Sequence, residues 1–109
     1  MAELLIGLKK IAVGMSLTFE WDAAKASLNL QKHGVSFEDA IAVFADPLAR
    51  IFSDEQHSQD EARELIIGHG RSRQLLVVSF TERRAAVRLI SARPATRLER
   101  RDYEENSET

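Results

Sequence analysis

The spacing of the apolar residues changes at Pro47, and this change constrains the fold more than any other feature of the chain. Before it, Phe37, Ile41 and Phe44 are spaced as on one face of an α-helix. After it, apolar residues form four short runs rich in branched side chains, which are typical of β-strands. These runs are residues 48–53, 63–68, 75–80 and 86–92. Since proline cannot continue a helix, the chain is predicted to be helical just before residue 47 and to form a sheet after it.

Capping residues mark a first helix upstream of this point. Asp22 is placed to cap its N-terminus, and Gly34 supplies a left-handed stop after His33. Trp21 and Leu28 would share one face of this helix, together with an alanine between them. The pattern therefore predicts a helix from residue 23 to residue 33.

Two further capping signals and one short strand complete the predicted fold. Ser36 and Asp39 resemble a capping box that opens the second helix, and Thr96 with Glu99 forms one that opens a C-terminal helix. Residues 18–21 are predicted to be a short first strand. The expected fold is α+β: two N-terminal helices, a four-stranded mainly antiparallel sheet with the short first strand, and a C-terminal helix.

A chain of 109 residues has room for one hydrophobic core. Residues 15–109 are assigned to a single domain with an acidic tail that frays after Glu105. Residues 1–14 are assigned to an N-terminal extension, which need not be part of the fold, because Met15 opens the strongly patterned part of the chain.

Charge is divided unevenly along the chain, although the net charge is only -2 at pH 7. Between residues 71 and 101 there are nine arginines and two acidic residues, which leaves a local charge of +7. This region contains no lysine, and the planar arginine fork suits phosphate, which it can grip at two points. The composition is equally compatible with an arginine-rich surface that is merely solvated.

Residue spacing argues against a bound metal or cofactor. The chain contains no cysteine, which excludes cysteine-ligated zinc and iron–sulfur clusters and is typical of a cytoplasmic protein. An acidic segment lacks the spacing of a calcium loop and the paired histidines of a zinc site. Its members are Asp54, Glu55, His57, Asp60 and Glu61. We therefore expect a solvated loop at this segment, and no cofactor.

Several motifs of the chain, taken together, resemble the BrnT family of bacterial toxins. They cover residues 19–104 in order and spacing, and the combination is more specific than any single motif. The motifs are Phe19–Asp22, Asn29–Glu38, Val43–Leu48, Thr81–Arg83, Arg88–Arg93, Ala95–Thr96, Glu99–Arg100 and Tyr103–Glu104.

The resemblance implies a RelE-like fold and a metal-independent ribonuclease that cleaves RNA and thereby inhibits translation. It also implies a toxin of a type II toxin–antitoxin system, neutralised by a BrnA-type antitoxin with a ribbon-helix-helix domain. Such a toxin would contact operator DNA only through the antitoxin, and no membrane partner is implied.

RNA cleavage of this kind requires binding of the scissile phosphate and the transfer of two protons, since the ribose 2′-hydroxyl is itself the nucleophile. The candidates for binding the phosphate are Arg83, Arg88 and Arg93. Strict alternation along the strand places Arg88 and Arg93 on opposite faces, so they meet only if the strand bends or ends early.

Proton transfer is less well defined by the sequence. His33 could act as an acid or base, or could cap the C-terminus of the first helix. Tyr103 could donate a proton or stack on a base, or could pack within the terminal helix. Further RNA contacts are expected from basic side chains nearby, namely Lys32, Arg84, Arg97 and Arg101.

Two other functions use the same arginines. A binding module would hold nucleic acid through them without cutting it and would show a steep salt dependence. A protein-interaction module would only dock an acidic partner and would show no affinity for RNA.

Overall fold

The computed structural model describes residues 8–13, 17–57 and 61–107. The strands are β1 (Leu8–Val13), β2 (Leu17–Asp22), β3 (Arg50–Ser53), β4 (Glu64–His69), β5 (Leu75–Arg83) and β6 (Ala86–Pro94). The helices are α1 (Ala23–His33), α2 (Phe37–Ile41) and α3 (Arg97–Ser107), with 3₁₀ turns at Ala42–Ala45 and Glu55–His57. None of the described helices has the length and apolar character needed to cross a membrane.

The six strands form one mixed sheet in the order β1-β2-β6-β5-β4-β3. All neighbours are antiparallel except β2 and β6, which run parallel. The α+β class and the mainly antiparallel sheet are thus confirmed. The parallel pair joins an early strand to the last one, a contact that no local sequence pattern encodes.

Strand β1 lies within the stretch that the sequence assigned to an N-terminal extension. Residues 8–13 pair along their full length with β2, from Leu8 opposite Asp22 to Val13 opposite Leu17. Backbone hydrogen bonds carry this pairing, so the lysines that break the apolar pattern do not prevent it. Residues 8–13 therefore belong to the sheet, while residues 1–7 and 14 lie outside the described residues.

The main hydrophobic core lies between the sheet and the α1–α2 layer. Phe44 packs edge-to-face against Phe19 and Phe80, with ring centroids 4.9 and 5.1 Å apart. Trp21 contacts Phe37 in the same way at 5.8 Å. Such aromatic pairs add to the stabilisation that their buried area provides, and they fix the two short helical segments onto the sheet.

Helix α1 follows the predicted bounds but packs differently from the prediction. Trp21 lies in β2 and not on the helix, and Leu28 is 63% exposed. The buried residue of α1 is Asn29, whose side chain donates to the carbonyl oxygens of Val35 and Ala92 and accepts from the Ala92 amide. The helix is thus attached through hydrogen bonds to the backbone of β6, and its two leucines, Leu28 and Leu30, face outward while Ala26 packs against the core.

A β-bulge in β6 decides which side chains share the outer face of the sheet. Ser79 pairs with Ser91 and Phe80 with Leu89, so Ile90 has no partner on β5. Arg88 pairs with Thr81, and Arg93 pairs with Val77, four residues away on β5. Cross-strand partners share a face and strand faces alternate.

The bulge therefore places Arg88 and Arg93 on the same face, opposite the main core, and supplies the bend on which the sequence prediction depended. Helix α3 covers part of this outer face. Tyr103 packs there with Ile67, Leu75 and Val77 in a second, smaller cluster. The remainder of the face, towards the β5–β6 turn, carries charged side chains.

Candidate active site

An open groove lies at the end of the sheet where β2 and β6 meet the β5–β6 turn. Its volume is about 730 Å³. Its lining residues are Glu20, Glu61, Arg83, Arg84, Ala85, Ala86 and Arg88. We call this the arginine groove, since three arginines and two carboxylates supply its charge.

Arg83 and Glu61 form a two-point ion pair at one side of the arginine groove. The Arg83 Nε and Nη2 atoms lie 2.8 and 2.6 Å from the two carboxylate oxygens of Glu61. The Thr81 hydroxyl donates to the Ala62 carbonyl oxygen at 2.8 Å, which holds the Glu61 segment against β5. The hydrogen bond from Arg83 lowers the pKa of Glu61 and raises that of the guanidinium.

Arg88 and Glu20 face each other at the opposite side because the parallel register sets them side by side. Arg88 Nη1 lies 3.6 Å from Glu20 Oε1, which is an ion pair beyond hydrogen-bond range. Their side chains are only 20% and 13% exposed. The Glu20 carboxylate is therefore held beside a cation without being bound in its fork.

Arg84 projects from the turn between β5 and β6. Its φ of 56° lies in the left-handed region, which glycine normally occupies. A non-glycine residue in this conformation is strained, and such strain concentrates at functional positions.

Arg93 lies on the same face but outside the arginine groove. Its partner Val77 is four residues from Thr81, which is about 13 Å along the strand. The Arg93 fork binds Glu99 at 2.8 and 2.9 Å. These bonds, against some burial, lower the pKa of Glu99 to about 2. Glu99 also accepts from the Thr96 amide, so the predicted capping box of α3 is confirmed and tied to β6.

Tyr103 takes part in a partly buried hydrogen-bond cluster with Asp46 and His69. The Tyr103 hydroxyl donates to Asp46 Oδ2 at 2.8 Å, and the His69 backbone amide donates to the same oxygen at 2.8 Å. His69 Nδ1 lies 3.3 Å from both groups. Burial alone would raise the pKa of Asp46, but hydrogen bonds from the His69 and Leu48 amides, Tyr103 and the His69 side chain together outweigh it and lower the pKa.

The remaining predicted residues lie elsewhere. Lys32 and His33 line a second groove beside α1, which is separate from the arginine groove. Arg97 and Arg101 are exposed on α3, and Arg101 Nε lies 3.5 Å from Glu105. The structure thus brings Arg83, Arg84 and Arg88 together and separates the other candidates from them.

Sequence reasoning missed the carboxylates of the arginine groove and the acid and histidine beside Tyr103. Glu20 stands in the Phe19–Asp22 motif, but only the pairing of β2 with β6 reveals its role. Asp46 and Tyr103 are 57 positions apart, so no local spacing links them. Within residues 8–13, 17–57 and 61–107, no group of three or more His, Asp or Glu side chains is arranged to hold a metal ion. Asp60 of the acidic segment lies outside the described residues.

Comparison with known proteins gives a consistent result. The model of the family "Ribonuclease toxin, BrnT, of type II toxin-antitoxin system" matches residues 21–99. The crystal structure of the Brucella abortus ribonuclease toxin BrnT superposes with a TM-score of 0.56 at 28% sequence identity. That match covers 71% of this chain and 94% of the Brucella chain. No match was found among curated proteins. The chain belongs to the BrnT family of ribonuclease toxins of type II toxin–antitoxin systems.

Proposed function

We propose that this chain is a metal-independent endoribonuclease whose active site is the arginine groove. The observation that carries the proposal is the meeting of Arg83, Arg84 and Arg88 with Glu20 and Glu61 around one open groove. RNA supplies its own nucleophile, so cations for the phosphate and a carboxylate for the proton are sufficient chemistry.

In the proposed reaction, Arg88 and Arg83 bind the non-bridging oxygens of the scissile phosphate and stabilise the charge that develops on them. Glu20 accepts the proton of the ribose 2′-hydroxyl, and the 2′-oxygen attacks phosphorus. The bond from phosphorus to the 5′-oxygen breaks, and this oxygen takes a proton from water in the open groove. The products are a 2′,3′-cyclic phosphate and a 5′-hydroxyl.

Glu20 suits the role of base better than Glu61 does. The fork of Arg83 lowers the pKa of Glu61, which weakens it as a proton acceptor. Arg88 Nη1 lies 3.6 Å from the Glu20 carboxylate, so the Arg88 fork does not occupy the lone pairs of Glu20 as the Arg83 fork occupies those of Glu61. Glu61 instead occupies the place on Arg83 that a phosphate would take, and RNA must displace it.

The other predicted residues are given supporting roles in the proposal. Arg84 contacts a flanking phosphate from the turn. Arg93 and Tyr103 hold α3 on the sheet through Glu99 and Asp46. A catalytic role for His33, and RNA contacts by Lys32, Arg97 and Arg101, stay predictions.

The test is cleavage of a defined RNA by purified, antitoxin-free protein in EDTA. Glu20→Gln should lower the cleavage rate about 10²- to 10⁴-fold while RNA binding persists. Arg88→Ala should lower both binding and cleavage. Glu82→Gln and Arg71→Ala remove matching charges from exposed positions outside the groove and should behave as wild type.

The alternative functions give different results in the same experiment. RNA that is bound but left intact by the wild-type protein would indicate a binding module. Cleavage that disappears in EDTA would refute the metal-independent mechanism. Full activity of Glu20→Gln would remove Glu20 from the role of base.

The proposed partner is a BrnA-type ribbon-helix-helix antitoxin, and the proposed outcome of release from it is inhibition of translation in the cytoplasm. Membership of a type II toxin–antitoxin family supports an antitoxin partner. Co-expression with the protein encoded next to this chain should restore growth if that protein is the antitoxin.

A further inference from the structure

A second groove runs between α1 and the bulged part of β6, and the proposed reaction does not use it. Its volume is about 220 Å³. Its lining residues are Lys25, Leu28, Asn29, Lys32, His33, Ile90 and Ser91. We call it the α1 groove.

The α1 groove exists because β2 leaves β6 early. The two strands pair only as far as Glu20 and Arg88, and α1 then takes the place of a strand beside β6. Asn29 satisfies the amide and carbonyl of Ala92. The bulge sets Ile90 out of register at the same point, and it lies half-buried in the groove. This part of the sheet edge is therefore covered by a helix that leaves a cleft.

The charge of the α1 groove is entirely positive. Lys25 and Lys32 lie seven residues apart with Leu28 between them, so the three side chains share one stripe of the helix. His33 adds a further basic group, and neither α1 nor the lining of the groove contains an acidic residue. A ligand that complements this stripe must be acidic.

The groove also carries apolar surface that the fold leaves uncovered. Leu28 is 63% exposed, and Ile90, which also lines the groove, is half-buried. Exposed apolar side chains that cluster with a rim of one charge are a mark of protein-binding surfaces. The groove has lysines around a leucine and an isoleucine. The segment that complements it therefore carries both acidic and apolar side chains.

The lining fits a protein better than RNA. RNA-binding surfaces use arginine forks and aromatic rings on which bases stack. The α1 groove has no arginine and only the His33 imidazole as an aromatic ring, whereas the arginine groove has three arginines.

We infer that the α1 groove is a docking site for an acidic, amphipathic segment of the antitoxin. The inference rests on the proposed function for the identity of the partner, and on the charge and exposure of the groove for its location. Strand β6 lines both grooves, through Arg88 in one and Ile90 in the other, so this strand connects the docking site with the proposed active site.

The experiment measures binding of the purified antitoxin to full-length toxin variants by calorimetry, with RNA cleavage measured in parallel. The test variant is Lys25→Glu with Leu28→Ser, at two positions outside the proposed catalytic machinery. Affinity for the antitoxin should fall at least tenfold, while RNA cleavage should stay within twofold of wild type. Both side chains are exposed, so the melting temperature should be unchanged.

The matched control changes a basic residue and an exposed leucine elsewhere, Arg71→Glu with Leu48→Ser. It should bind the antitoxin as wild type does. Unchanged antitoxin affinity in the test variant, or no antitoxin binding by the wild type, overturns the inference. Loss of RNA binding with intact antitoxin binding assigns the groove to RNA and also overturns it. If wild type fails to cleave RNA but the test variant alone loses the antitoxin, the docking site stands and the proposed ribonuclease mechanism fails.

Discussion

At the scale of single residues, two arginines adopt a backbone conformation that is unfavourable for any side chain. Arg73 has a φ of 67° and Arg84 a φ of 56°, and both lie in turns. Each conformation costs about 1 kcal/mol or more relative to glycine. Arg84 lines the arginine groove and Arg73 does not. Comparing the two positions therefore separates the cost of the strained backbone from the proposed role of Arg84 in RNA binding.

We expect Arg84→Gly to stabilise the fold by about 1 kcal/mol, because glycine adopts positive φ without a clash. The same change should weaken RNA binding severalfold, since it removes a cation from the arginine groove. Urea denaturation and RNA titration at fixed salt measure the two effects. Arg73→Gly is the control and should stabilise the fold without affecting RNA binding. Equal RNA affinity in both variants would argue against a role for Arg84.

Glu99 is predicted to make the free energy of unfolding fall as the pH becomes acidic. Its pKa is about 2 in the folded protein and near 4.5 in the unfolded chain, so the folded state holds its proton less tightly. The stabilisation is complete above about pH 4.5 and is lost as the pH falls towards 2. We expect the contribution to be about 1 kcal/mol, because the ion pair is one-third exposed and is screened by water.

Urea midpoints measured between pH 6 and pH 2.5 test this prediction. Glu99→Gln should lower the stability at pH 6 and reduce its decline towards low pH. Asp46, whose pKa is also lowered, should account for part of the remaining decline. A variant that declines as steeply as wild type would show that Glu99 does not contribute.

The residues that could be predicted from sequence are those whose partners are close in the chain. The cap of α1 by Asp22 and the Ser36 cap of α2 are within three residues of their amides, and both are confirmed. The arginines of the groove were identified from their local density. The carboxylates that face them come from distant segments of the chain, so only the structure reveals that Glu20 and Glu61 lie beside these arginines.

At the scale of elements, the bounds of α1 and of β3 to β6 could be predicted to within a few residues, as could the mainly antiparallel character of the sheet. Strand β1 and the parallel pairing of β2 with β6 could not be predicted. Hydrophobic period encodes which residues form a strand, and it carries no information on the neighbour. Strand β2 is parallel to the last strand of the sheet, and the bulge at Ile90 reverses the facing of Arg93 relative to strict alternation. Both features create the outer face on which the proposed active site lies.

Asn29 is predicted to be the main attachment of α1 to the sheet. Asn29→Ala removes three buried hydrogen bonds and leaves the amide and carbonyl of Ala92 unsatisfied. We expect the free energy of unfolding to fall by about 3 kcal/mol, since each buried polar group left without a partner costs about 1–3 kcal/mol. Gln31→Ala, at an exposed position of the same helix, should change stability by less than about 0.5 kcal/mol. Comparable losses in both variants would contradict this role.

At the scale of the whole molecule, the division of charge matters more than the net charge of -2. The arginine groove holds three cations and two anions, and in the proposed site a phosphate reaches Arg83 only by displacing Glu61. In the proposed site, RNA competes with Glu61 for Arg83, since the two-point ion pair occupies the guanidinium. Because both interactions are ionic, we expect the affinity for RNA to fall as the salt concentration rises.

The last prediction concerns that response. For single-stranded RNA, the logarithm of the binding constant falls with the logarithm of the salt concentration by about 0.7 for each phosphate that is neutralised. Arg83→Ala with Arg88→Ala removes two proposed phosphate contacts and should reduce the slope by about 1.4. Arg71→Ala with Arg100→Ala removes the same charge from exposed positions outside the groove and should leave the slope nearly unchanged. Equal slopes for the two double variants would mean that RNA is held by the diffuse charge of the arginine-rich half of the chain. The arginine groove would then not be the binding site of the scissile phosphate.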